Sequence, residues 1–127
     1  MALKAVKELK VPLYGVRVMV FSTKEAGDKF LRYDRAATNY SAMVSVLQCS
    51  QGIDYIAITF RTIDDYCTET LTHECVHAAW RVLELVGINV SVDNQEPLAY
   101  LAGWLSRQVN NFMMSHIEQK NNKSTGE

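Results

Sequence analysis

From Gly15 to Phe21 the chain sets Val16, Val18 and Val20 against Arg17, Met19 and Phe21. This alternation, rich in β-branched residues, predicts a strand. Ser22 followed by Glu25 forms a capping-box pattern, which predicts a short helix over KEAGDKFLRY despite Gly27. Two more strand-like runs follow: SAMVSVLQ, Ser41 to Gln48, and DYIAITF, Asp54 to Phe60. The connection between them, CSQGI, supplies the glycine that a hairpin turn often requires.

After Thr62 the hydrophobic period lengthens from that of a strand to that of a helix. Leu71, Val76, Trp80 and Leu83, with Ala79 beside them, are expected to form the buried side of a helix. Asp64, Asp65 or Thr68 is placed to cap its start, and Gly87 to end it after Val86. INVSV reads as a short extended return, and DNQEP announces a final helix. There Leu98, Leu101, Ala102, Leu105, Val109, Phe112, Met113 and Ile117 keep helical spacing. The polar segment 118–127 has almost nothing to bury and is expected to be a disordered tail.

Strands followed by helices predict an α+β fold. With 127 residues, 48% of them hydrophobic, the chain suits one domain, expected over residues 1–117. Thirteen basic residues face fourteen acidic ones, without a cationic cluster, so no nucleic-acid partner is expected. The apolar run Val11 to Phe21 is interrupted by Pro12, Gly15 and Arg17, which argues against a signal peptide. No uncharged apolar stretch reaches membrane-spanning length, so no membrane partner is expected. Cys49, Cys67 and Cys75 are odd in number and contain no CxxC pair, which fits a reducing, cytoplasmic setting.

The distinctive chemistry lies in THECVHAAW, Thr72 to Trp80. Residues four apart on a helix lie one above the other, so His73 and His77 can offer imidazoles to one ion. Glu74 is adjacent around the axis and placed to hold water beside that ion. This is the physical content of HExxH: two neutral nitrogen ligands, an open position and a carboxylate base. Cys75 lies about 200° around the helix from His73 and is expected to point into the core.

A catalytic zinc of this kind needs a third protein ligand. Glu84 is about 10 Å along the axis from His77, too far to share the ion. Glu96 follows His77 by 19 residues, and the intervening segment is long enough to return it to the site. Asp93 competes for that role and otherwise reads as a helix cap. Pro97 disfavours a helical Glu96 and puts it at the helix boundary. His116 is expected to be remote from the metal, and Trp104 to line the core or a cleft.

HECVH with Glu96 in NQEPLAY resembles the gluzincin type of zinc metallopeptidase. More loosely, THECVHAAW through GWLSRQV resembles small metallopeptidase-like proteins encoded by tailed bacteriophages. The resemblance implies Zn2+ held by His73, His77 and Glu96, with Glu74 as general base. It implies a peptide or protein substrate and a minimal zincin-like domain, with a short antiparallel sheet on the HExxH helix and a long C-terminal helix behind. DYIAITF is the expected sheet edge for an extended substrate. Where the thermolysin-like pattern has an aspartate, this chain has Tyr100, a candidate partner for a ligand histidine or an oxyanion.

Overall fold

A computed structural model describes residues 4–32 and 40–125, the last three by their backbone alone. In chain order its elements are β1 (Val6–Lys10), β2 (Arg17–Phe21), α1 (Lys24–Leu31), β3 (Ala42–Gln48), β4 (Asp54–Phe60), α2 (Thr68–Leu85) and α3 (Glu96–Thr125). A single turn of 3-10 helix, Ile63–Asp65, precedes α2. The fold is α+β.

The strands form one sheet in the order β1-β2-β4-β3. β1 and β2 pair antiparallel, as do β3 and β4, but β2 and β4 run parallel. The sheet is therefore mixed, not antiparallel as expected. The hairpin explains this: β3 lies on the outside and folds β4 back between itself and β2. DYIAITF is consequently central, and the edge beside α2 is β3. A signal for this was present in the composition of β4, whose residues from Tyr55 to Phe60 are all buried. A near-continuous apolar run marks a strand covered on both faces. β1 escaped the pattern because VKELK is mostly charged, as suits the opposite edge strand.

Alternation across β2 and β4 divides the core. Val18, Val20, Ile56, Ile58 and Phe60 meet the buried faces of α2 and α3, including Val82, Leu83, Leu105 and Val109. On the other face Met19, Phe21, Tyr55 and Ala57 form a smaller cluster with Leu31 of α1. Phe30 adds a ring 5.5 Å from that of Phe21.

Local chemistry sets the element ends. The hydroxyl of Thr23, rather than Ser22, caps α1 by accepting from the Ala26 N–H at 3.1 Å. Ser22 is buried and donates instead to the Ala5 carbonyl. Cys67 occupies the N-cap of α2 without a side-chain cap bond, and Asp65 is engaged by Arg61 and Thr62 instead of capping. Gly87 stops that helix as expected, at φ 79°. Its N–H donates to Glu84 O, and Ile88 N–H reaches back to Leu83 O, the paired bonds of a Schellman stop. INVSV does not form a strand; a single bridge joins Ser91 and Asn94.

α2 buries Leu71, Cys75, Ala78, Ala79, Val82 and Leu83. Val76 and Trp80, expected in the core, are instead 37% and 49% exposed. At about 100° per residue they lie roughly 100–160° around the helix from Cys75 and Val82, outside the buried stripe. Size misled the reading, since the core takes the small residues of this helix. α3 is also longer than expected and continues to Thr125 through most of the presumed tail, leaving only 126–127 outside the described residues. Adding one residue to an existing helix forms a hydrogen bond without a new nucleus, and Lys120 donates to Asp64 at 2.6 Å. Among the described residues no helix is long and apolar enough to cross a membrane.

This packing makes a stability contrast measurable by urea unfolding. Leu105→Ala, at a fully buried position, is expected to cost about 2–5 kcal/mol, whereas Trp80→Ala is expected to cost about 1 kcal/mol or less despite removing a larger side chain.

Candidate metal centre

The small buried residues of α2 leave His73 and His77 on its outward side, one turn apart. Their Nε2 atoms stand 3.2 Å from each other. Two nitrogens bound at ~2.0–2.1 Å to a tetrahedral zinc stand about 3.3 Å apart. The 3.2 Å separation is that of a hydrogen bond between the two rings and also close to the spacing of neighbouring ligands on one ion, with ring planes inclined at 68°.

Glu74 lies on the flank of α2 that turns toward the sheet, and only 7% of it is exposed. Its Oε2 is 3.8 Å from His73 Nε2, beyond direct hydrogen-bond range. Burial pushes its pKa above the usual carboxylate value, while charge on His73 and then His77 opposes the shift. A buried carboxylate that is not held by a close donor destabilises the fold. Such groups concentrate at sites of function.

The three side chains share a cavity of about 280 Å³ with Arg81 of α2 and with Tyr40, Ala42 and Val44. β3, an outer strand of the sheet among the described residues, thus forms one wall and the HExxH turn the other. The motif gave no sign of Tyr40, which enters only because it lies two residues before β3. Arg81 stands at the rim and donates to Glu84 at 2.9 Å, so Glu84 is an exposed partner on the helix surface.

Cys75 points the opposite way and is 1% exposed, as expected. Burial pushes its thiol up to about 11, opposed by a hydrogen bond with Ser106. Ser106 of α3, whose hydroxyl donates to the Ala102 carbonyl at 2.7 Å, lies near Cys75 of α2. Glu96 lies ten residues before Ser106 on the same helix, hence about 15 Å along its axis. It is at the α2–α3 connection and lines a different cavity, with Tyr14, Tyr100 and Trp104.

The structure therefore does not bring Glu96 to the histidines. The chain was long enough to return, but α2 and α3 form a hairpin that holds the first residue of α3 beside the last turn of α2. Tyr100 goes with Glu96 and is 75% exposed. Asp93 is exposed in the connection and does not line the histidine cavity. Among the described residues no three His, Cys, Asp or Glu side chains converge as a metal-binding group. His73 and His77 would hold a zinc ion, with Glu74 beside them, but the described residues do not supply the gluzincin third ligand. His116 is far from this centre, buried against Phe112 and bonded through Nε2 to the Lys4 carbonyl at 2.8 Å.

Comparison with protein-family models, with curated proteins and with solved structures finds no match.

The burial of Glu74 has a thermodynamic consequence that does not depend on metal. A carboxyl whose pKa is raised by folding contributes most at low pH, and that contribution is lost as pH rises through the folded value. In chelator, Glu74→Gln is accordingly expected to raise the melting temperature near about pH 8, where the carboxylate is charged. The gain shrinks toward about pH 4, where glutamate is largely neutral in either state. Thermal melts of both proteins at the two pH values check this.

Proposed function

We propose that this protein is a zinc-dependent peptidase whose site is His73, Glu74 and His77 in the cleft between α2 and β3. The observation that carries the reading is the 3.2 Å spacing of the two imidazole nitrogens beside a buried carboxylate. Zinc, when bound, polarises the scissile carbonyl and makes water a stronger nucleophile. His73 and His77 would hold it. Glu74 takes a proton from the attacking water and returns it to the leaving amine, and its partial burial makes it a more basic carboxylate for this task.

The substrate is a peptide in extended form. Among the described residues β3 pairs with β4 along one side only, so its other side offers backbone groups to an added strand. Ala42 and Val44 of this strand line the histidine cavity. A peptide laid along β3 would pass the imidazoles with its carbonyls in reach. The three free cysteines support a reducing, cytoplasmic setting as part of the same proposal.

A second reading, a zinc-binding protein without hydrolysis, draws support from the donor set of two histidines among the described residues. Metal analysis with peptide-pool cleavage separates the two. The peptidase reading expects about one zinc per chain, lost in His77→Ala and retained in Glu74→Gln, with cleavage abolished in both. Stoichiometric zinc without cleavage by the wild type would favour the second reading, and absence of zinc after loading would overturn both. Glu96→Gln is expected to leave zinc content unchanged; its loss would restore the gluzincin ligand set.

A further inference from the structure

The cavity that receives Glu96 has its own chemistry. It is an open pocket of about 480 Å³ at the junction of the β1–β2 turn and the start of α3, and the residues lining it include Tyr14, Tyr100 and Trp104 with Pro12 and Pro97. The sole acidic group on this lining is Glu96. Sites of this size, apolar with a few polar groups, are suited to small ligands or to single ligand groups.

The turn beside the cavity is strained. Leu13 sits at φ 69° in the left-handed region, which costs a branched L-residue energy. The turn is closed by Tyr14 N–H donating to the Pro12 carbonyl at 2.8 Å, an uncommon three-residue form. Leu13 itself is 99% exposed, so core packing does not offset the strain. Backbone strain at a cavity mouth points to use.

We infer that this cavity binds a trimethylammonium group. Aromatic faces attract a cation, and Glu96 supplies the opposite charge at the wall. A neutral apolar ligand would remove water from that carboxylate without compensation. An unmethylated ammonium is disfavoured for a different reason: it is strongly hydrated and gives up that water against apolar ring faces. Methylation removes its N–H donors, keeps the charge and gives the group an apolar skin matching the rings. The chemistry is common to choline and to trimethyllysine.

The test uses the intact chain with Trp80→Phe, so that Trp104 is the only tryptophan. Choline and N-acetyl-trimethyllysine amide are titrated against Trp104 fluorescence, beside 3,3-dimethylbutanol, the neutral carbon isostere of choline. Saturable binding of either cation is expected, with the isostere weaker by about tenfold or more. The tighter of the two cations identifies the source of the group. Glu96→Gln is expected to weaken binding by about tenfold and Tyr100→Ala to remove most of it, with far-ultraviolet circular dichroism unchanged since both side chains are exposed. Equal affinity for the neutral isostere would overturn the inference. So would an unsaturated response to both cations at tens of millimolar, or unchanged binding in Glu96→Gln and Tyr100→Ala.

Discussion

α2 seats against the sheet and α3 through Cys75, Ala78, Ala79 and Val82, side chains short enough to bring its axis close to its neighbours. The remaining arrangement depends on that approach. A bulkier inner face would lift the helix away from β3 and widen the cleft that holds the motif. It would also expose Glu74, whose buried position depends on the flank of α2 meeting the sheet. The histidines need no such contact, because their separation follows from one turn of helix. Packing therefore sets the environment of the carboxylate, while helix geometry sets the spacing of the nitrogens.

The division explains what could be read in advance. His73, Glu74 and His77 were legible because their relation is local and an α-helix has only one pitch. Cys75 was legible for the same reason, as were Gly52 in the hairpin and Gly87 at the helix stop. The sheet order was not, because no local rule says which arm of a hairpin lies outside. The near-continuous burial of β4 was written in its composition, but its place depended on β2, more than thirty residues earlier in the chain. Trp80 shows a related failure: hydrophobicity alone places a large ring in the core, whereas close helix packing selects alanine.

Glu96 was the hardest residue to place because length constrains reach but not destination. A connection long enough to return to His77 is also long enough to reverse direction, and the Schellman stop at Gly87 selects reversal. Ile88 N–H bonds back to Leu83 O, so the chain turns immediately after α2. α3 then starts beside the end of α2, and its apolar stripe from Leu101 to Met113 packs alongside. Moving Glu96 to the histidines would slide this stripe by several turns and break its register with Val82 and Leu83.

The same constraint gives the molecule two separate chemical regions. One lies on the outer side of α2 against β3, where two imidazoles and a carboxylate share a cavity with Ala42 and Val44. The other lies at the far end of the helical hairpin, where aromatic rings and Glu96 meet the strained turn at Leu13. Leu101, Leu105 and Val109 of α3 share one core with Ala78, Ala79 and Val82 of α2, so the distance from Glu96 to the motif is a property of the packed core and not of a mobile loop. Charge at Glu96 consequently acts on its own cavity. Its contribution to the histidines, over a separation larger than the Debye length of about 8 Å at physiological salt, is small wherever solvent screens it.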